Sequence, residues 1–168
     1  KAAMDRVFGQ AVLKKEPFTP TDQFKEVFGD SEEILSLQDT SYEVSNIDGL
    51  FENLMETEDG LYCMDYEWVF DFPIPSGFVR YRNLVYFYYK YEGLMEYENA
   101  TQFLKEFGMD EKLAETYASM EVAFQTWVHG DGTQGYLGNY KQRLVTLEEL
   151  KAQEKELAQA RERINQLQ

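Results

Sequence analysis

The sequence predicts an α+β fold, in which a small antiparallel sheet rich in aromatic residues packs against helices and a coiled-coil helix follows. Three patterns in the 168 residues carry this prediction. Large apolar side chains alternate with mostly acidic ones between Tyr62 and Asp71, as in a strand with two different faces. Apolar residues recur every three or four positions from Leu113 to Trp127, which is the period of an amphipathic helix. Near the C-terminus, large aliphatic residues recur every seven positions, as in a coiled coil.

The N-terminal residues are predicted to form short helices that lead into the main domain. Apolar spacing predicts a helix over 1–16 and another over 21–28, the latter closed by Gly29. Asp30 fits the N-cap of a third short helix, because Glu33 follows three residues later.

The chain is predicted to have three parts. Residues 1–38 form a helical entry segment, residues 39–142 form the α+β core domain, and residues 143–168 form the coiled-coil helix. Since the chain begins with Lys1 rather than methionine, we expect it to be a piece of a longer protein.

The stretch 61–91 predicts two strands joined by a rigid connection. Pro73 and Pro75 lie in the connection, because proline has no N–H to donate to a ladder. The apolar run 84–91 predicts a second strand covered on both faces, although a helix stays open as an alternative for so short a run. Five large side chains share one face of the first strand: Tyr62, Met64, Tyr66, Trp68 and Phe70.

Charged residues on the two predicted strands suggest a cross-strand network. Asp65, Glu67 and Asp71 share one strand face, and Arg80 and Arg82 are likewise two positions apart. We therefore expect the arginines to pair with these carboxylates across the sheet.

Turn and cap residues place the remaining elements. Leu50 to Met55 suits a short helix, and Asp59-Gly60 is a tight-turn signal just before the aromatic strand. Asn99 or Thr101 can cap a helix that stops at Gly108. A longer helix runs from the cap Asp110 to Gly130. Four aromatic residues are expected in one core: Trp68, Phe87, Phe124 and Trp127.

Composition excludes several classes of partner. A net charge of −15 argues against binding to nucleic acid or to an anionic membrane surface, both of which attract basic proteins. No apolar run reaches the length of a membrane span, and the single cysteine, Cys63, rules out an internal disulfide. We expect a cytoplasmic protein without membrane insertion and without a cofactor.

Two possible chemistries follow from the residues between 61 and 91 together with His129. Carboxylates spaced like Asp65, Glu67 and Asp71 are able to hold a divalent cation or to act as acid and base. A solvated strand face explains them better, so neither a metal site nor a catalytic residue is predicted. The aromatic density also fits a platform that stacks sugar rings or bases, although burial in a core explains it better. The candidate binding residues of the platform are Tyr66, Trp68, Arg80 and Arg82.

The C-terminal heptads predict association through a helix. Leu150, Leu157 and Ile164 occupy a positions and Leu167 a d position, so these four residues are the predicted oligomerisation seam. Such a polar helix buries little by itself, and we expect it to form a homodimer or to pair with another helix.

Three segments resemble a known family. They are EWVFDFPIP at 67–75, FVRYRN at 78–83 and AFQTWVHG at 123–130, the last leading into the coiled coil. Together they are similar to an accessory segment of multidomain bacterial family 2 glycosyltransferases that build cell-surface polysaccharides. The resemblance spans 39–168, and it includes no nucleotide-sugar or metal motif of the catalytic domain.

This resemblance implies a non-catalytic accessory and self-association module that lies beside a catalytic domain. Two alternatives stay open. One is a carbohydrate-binding module that uses the exposed aromatic residues. The other is a small metal-dependent enzyme that uses Asp65, Glu67, Asp71 and His129.

Overall fold

Helices form most of the fold, and three small antiparallel strand pairs connect them, which confirms the α+β prediction. The computed structural model describes residues 15–130. The helices are α1 (Asp22–Phe28), α2 (Glu32–Leu35), α3 (Ser76–Tyr91), α4 (Ala100–Lys105) and α5 (Glu111–His129). The strands are β1 (Lys15–Pro17), β2 (Thr40–Tyr42), β3 (Ser45–Asn46), β4 (Leu54–Thr57), β5 (Gly60–Cys63) and β6 (Val69–Phe70), and 3₁₀ turns cover Phe51–Asn53 and Glu92–Leu94.

Each strand pairs with only one neighbour among the described residues. Strand β1 pairs with β2, β3 pairs with β6, and β4 pairs with β5, all antiparallel. The β4–β5 hairpin turns through Glu58 and Asp59, with Thr57 opposite Gly60, which confirms a tight turn but places it one residue before the predicted Asp59-Gly60. The short helix predicted over Leu50 to Met55 is only the 3₁₀ turn, and the chain then enters β4.

The strand predicted over 84–91 is wrong, and the helical alternative is confirmed. Helix α3 starts directly after Pro75 and has 16 residues, which is longer than a typical strand. Proline is tolerated at a helix start, where an N–H would have no intrahelical partner. Four buried residues recur every three or four positions along this helix: Phe78, Tyr81, Leu84 and Tyr88.

The predicted aromatic strand is also shorter than expected. Only β5 and β6 are strands in this stretch, and they belong to different sheets. Their alternation does not give a buried aromatic face, because Tyr62 and Tyr66 are exposed while Phe70 is buried. The arginines predicted to face this strand lie on α3 instead.

Capping residues fix the helix ends largely as predicted. Thr21 Oγ1 accepts the Phe24 N–H at the start of α1, and Gly29 ends that helix at a φ of 91°. Asn99 caps α4 and Asp110 caps α5. The cap of α2 was predicted one residue too early, because Ser31 and not Asp30 accepts the Ile34 N–H.

The helix predicted over 1–16 falls mainly on residues outside the described range. Its last two residues, Lys15 and Glu16, belong to β1, so the prediction is wrong at these two positions. The predicted domain boundaries stay predictions. Side chains on both sides of residue 38 nevertheless share one core.

Phe28 lies at the centre of that core. Its ring centroid is 5.3 Å from Phe24, 5.6 Å from Phe70, 5.3 Å from Phe78 and 5.8 Å from Phe124. These edge and stacked contacts add to the free energy of burying each ring. The core thus joins α1, β6, α3 and α5.

The predicted core of four aromatic residues is correct for two, Trp68 and Phe124, since Trp127 contacts Trp68 but is 45% exposed. Trp68 packs against Phe124 and Trp127, with ring centroids 5.4 and 5.8 Å away. Phe87 lies elsewhere, 37% exposed and with its ring 5.8 Å from Phe51. It is displaced because residues 84–91 are helical and not a strand facing Trp68.

Asp39 joins β2 to the start of α3. One of its oxygens accepts the Gly77 N–H (2.8 Å) and the Tyr117 hydroxyl (3.0 Å), and the other accepts the Thr40 N–H (2.6 Å). A negative charge at a helix N-terminus is favourable, because the exposed N–H groups there carry partial positive charge. A Cβ on Gly77 would overlap the Tyr117 hydroxyl, so only glycine fits.

Candidate functional site

A groove of about 350 Å³ lies between the loop that precedes β4, the segment between β5 and β6, and the C-terminal half of α5. We call it the acidic groove. Its lining includes the carboxylates of Asp48, Glu52, Asp65 and Glu67, the His129 ring and the rings of Trp68 and Phe124.

Arg82 lies beneath this groove and is only 3% exposed. Its Nε is 2.9 Å from Glu121 Oε2, and its Nη1 donates to the Ile47 carbonyl at 2.9 Å. The guanidinium carbon lies 5.1 Å from the centre of the Phe124 ring. Burial alone lowers the pKa of Arg82, but the Glu121 carboxylate and other neighbours outweigh this effect and raise that pKa. The arginine therefore stays charged and paired.

Glu121 connects Arg82 to two other polar groups. Its Oε1 accepts the Tyr86 hydroxyl at 2.8 Å and the Gln125 side-chain amide at 2.8 Å. Burial and the nearby Glu121 charge raise the pKa of the Tyr86 phenol, so it stays a donor. This network fixes α3 against α5.

Asp48 extends the network to the strands. Its Oδ1 is 3.8 Å from Arg82 Nη1, and its Oδ2 accepts the Trp68 N–H at 2.8 Å. Partial burial raises the pKa of Asp48, while the Trp68 N–H and Arg82 act in the opposite direction. The ion pairs of Arg82 and the hydrogen bond from Trp68 to Asp48 thus hold α3, α5 and the loop at Asp48 together beneath the groove.

The four predicted binding residues do not form one platform. Trp68 and Arg82 line the acidic groove, whereas Tyr66 and Arg80 do not. Tyr66 is exposed, and Arg80 Nη2 donates to the Phe107 carbonyl at 2.9 Å. The predicted pairing of Arg82 with Asp65, Glu67 or Asp71 is wrong, since its ion pairs are with Glu121 and Asp48.

The residues considered for an enzyme converge only partly. Asp65, Glu67 and His129 line the acidic groove, but Asp71 is exposed and does not line it. Within residues 15–130, no group of three or more His, Cys, Asp or Glu side chains is arranged to hold a metal ion.

A second surface is the β4–β5 hairpin, which presents apolar side chains to solvent. Met55 and Tyr62 are directly opposite each other in the ladder, and they are 45% and 50% exposed. Met64 and Tyr66 follow and are 59% and 65% exposed. We call these four residues the hairpin surface. At its base the Met64 N–H donates to the Asn53 carbonyl at 2.7 Å, and the Asn53 side-chain amide donates to the Asp48 carbonyl at 2.8 Å, which ties the hairpin to the preceding loop.

The charge around the hairpin surface is of one sign. Between Lys25 and Arg80 the sequence has no lysine or arginine and carries 14 Asp or Glu residues. Exposed carboxylates next to the hairpin surface include Glu56, Glu58, Asp59, Asp65 and Glu67.

Sequence patterns did not predict three residues that organise the structure: Glu121, Asp48 and Asp39. A signal existed for Glu121, because it lies four residues after Tyr117 and three before Phe124, beside the apolar stripe of α5. Asp48 and Asp39 lie in irregular segments, whose tertiary contacts no period predicts.

The predicted oligomerisation residues Leu150, Leu157, Ile164 and Leu167 lie outside the described residues. For residues 15–130, no helix has the length and apolarity that a bilayer crossing requires. Comparison with protein-family models, with curated proteins and with solved structures finds no match to this chain.

Proposed function

We propose that this chain is a non-catalytic accessory module that works by association, within a larger cytoplasmic bacterial glycosyltransferase that builds surface polysaccharide. The C-terminal heptads pair two copies, and the hairpin surface docks a neighbouring protein domain. The observation that carries the docking part is the exposure of Met55 and Tyr62 on the hairpin and of Met64 and Tyr66 just after it.

Energetics support docking at the hairpin surface. A two-stranded hairpin is only marginally stable by itself, and large exposed apolar groups gain free energy when they are covered. Contiguous exposed apolar side chains with a polar rim are typical of protein interaction sites.

The charge around the hairpin surface indicates which kind of protein domain it binds. The rim of the hairpin surface is acidic, so two copies would repel each other there, whereas a domain with an apolar centre and a basic rim is complementary. We therefore assign the hairpin surface to a different protein domain and assign self-association to the C-terminal helix.

A peptide probe tests the docking surface. The probe is a fluorescent amphipathic helix of leucine and lysine, and its twin carries glutamate in place of lysine. Fluorescence anisotropy should show binding of the lysine peptide, weakened by salt because exposed charges are screened, and no binding of the glutamate peptide. Tyr62→Ser with Tyr66→Ser should weaken binding by about tenfold or more.

Val122→Ser is the matched control, because Val122 is also half exposed but lies on α5. It should leave the affinity unchanged. Equal binding by the double tyrosine variant and the parent would contradict the proposal, since charge alone would then explain binding.

A further inference from the structure

A second cavity lies on the side of α3 that faces the 3₁₀ turn Phe51–Asn53. It has a volume of about 220 Å³. Asn83, Lys90 and Tyr91 share this side of the helix with Phe87, because they are four residues before it, three after it and four after it. Phe51 and Glu52 form the opposite wall. We call this cavity the aromatic cleft.

The walls of the aromatic cleft are rings. Phe51 and Phe87 are 5.8 Å apart at 81°, and Phe87 and Tyr91 are 4.9 Å apart at 52°. Rings placed in this way present apolar faces to a small ligand.

Polar groups lie both at the exposed rim of the cleft and in its buried part. Lys90 and Glu52 form an ion pair, and their side chains are 42% and 40% exposed. Asn83 is only 1% exposed, and its Nδ2 donates to the Val79 carbonyl at 3.2 Å. Its Oδ1 is buried and has no hydrogen-bond partner among the described residues. A buried acceptor of this kind favours a ligand that brings a donor.

We infer that the aromatic cleft binds a single neutral sugar ring. A pyranose has an apolar face for the aromatic walls and hydroxyls that both donate and accept, which suits Asn83 Oδ1 and the Lys90–Glu52 pair. The rim carries both Lys90 and Glu52, so a charged ligand of either sign would meet one group of like charge. The cleft is also smaller than the roughly 300–1,000 Å³ pockets that hold drug-sized ligands, so it suits one ring.

The proposed docking function does not require this site. The cleft uses other residues than the hairpin surface, and it is tested by ligand binding rather than by peptide binding or association state.

The experiment is an NMR titration of the full chain with four methyl glycosides. The probes are methyl α-D-glucopyranoside, methyl α-D-galactopyranoside, methyl α-D-mannopyranoside and methyl α-L-rhamnopyranoside. At least one should shift the backbone amides of Phe51, Asn83 and Phe87, with a dissociation constant of roughly 1 mM or somewhat weaker. No such shift with any of the four up to about 50 mM would overturn the inference. Toluene is the apolar control, because it has no hydrogen-bond donor. If toluene shifted the same amides and none of the four glycosides did, the inference would also be overturned.

Variants locate the site. Phe87→Leu keeps an apolar side chain but removes the ring, and it should weaken binding about tenfold. Lys90→Met should weaken binding severalfold. Its matched control is Lys25→Met, because Lys25 also forms a surface ion pair, with Asp22, and is 38% exposed. Lys25→Met should leave binding unchanged. Binding that survives both cleft variants would overturn the inference.

Discussion

Arg82 is a buried charge whose ion pairs connect α3 to α5 and to the loop at Asp48. It is buried between α3 and α5, and it has the carboxylates of Glu121 and Asp48 as counter-charges. Removing one partner of a buried pair leaves the other charge uncompensated. Arg82→Met should therefore lower the free energy of unfolding by about 3–5 kcal/mol, as measured by urea denaturation.

Lys25→Met is the control for this prediction, because its ion pair with Asp22 is on the surface and joins neighbouring turns of one helix. Surface pairs of this kind add little to stability, so the urea midpoint should stay within error of the parent. If Arg82→Met unfolded at the parent's midpoint, the Arg82 cluster would not be the buried support described above.

Buried phenols give a second prediction at the residue scale. Burial raises the pKa of Tyr81, Tyr86 and Tyr117 above the ordinary value of 10.0. Above pH 10 the unfolded chain loses these protons while the folded chain keeps them. The folded state then binds more protons, so stability falls as pH rises, by about 1.4 kcal/mol per pH unit for each phenol.

Tyr81→Phe tests this pH dependence. It should reduce the alkaline slope of the unfolding free energy by about 1.4 kcal/mol per pH unit, because one titrating group is removed. Equal slopes for Tyr81→Phe and the parent would show that this phenol titrates alike in both states.

At the scale of elements, the start of α3 depends on a close approach that only glycine permits. Gly77 donates its N–H to Asp39, and a Cβ there would overlap the Tyr117 hydroxyl. Gly77→Ala should push Tyr117 away and weaken its hydrogen bond to Asp39, lowering the free energy of unfolding by about 1–3 kcal/mol. Gly49→Ala is the control, because a Cβ there meets its nearest atom at an ordinary 3.5 Å. A thermal melt of Gly77→Ala that matched the parent would contradict this packing.

Sequence patterns predicted the elements that are stabilised locally. The caps at Asn99 and Asp110, the turn at Asp59-Gly60 and the apolar stripe of α5 all follow from short-range rules. These rules explain why α5 was predicted in full.

The stretch 61–91 was harder because its structure depends on distant contacts. An apolar run such as 84–91 fits a buried strand and a buried helix equally well. Helix α3 is favoured by its packing against α5 and by the Arg82–Glu121 pair, whose members are 39 positions apart. The candidate site was predicted only in part for the same reason, since Trp68 and Arg82 were singled out but meet Asp48 only in the folded chain.

At the scale of the whole molecule, charge separates the rest of the chain from the segment 148–168, for which the sequence predicts a helix. Residues 148–168 carry four basic and five acidic residues, a net charge of −1, and the rest of the chain therefore carries −14. A nearly neutral helix on an acidic body adds little repulsion when two copies meet. Isolated helices of about this length are marginal in water, so pairing should depend on concentration.

Analytical ultracentrifugation of the full chain tests the claim of self-association most directly. We predict a monomer–dimer equilibrium in the micromolar range, roughly −8 kcal/mol at 1 µM. Leu157→Glu places a charge in the predicted seam and should give a monomer whose unfolding transition is unchanged. Ala158→Glu is the matched control: it adds the same charge at the neighbouring b position, outside the seam, and should still dimerise. A parent chain that is monomeric at every concentration, or a Leu157→Glu variant that dimerises like the parent, would contradict the account.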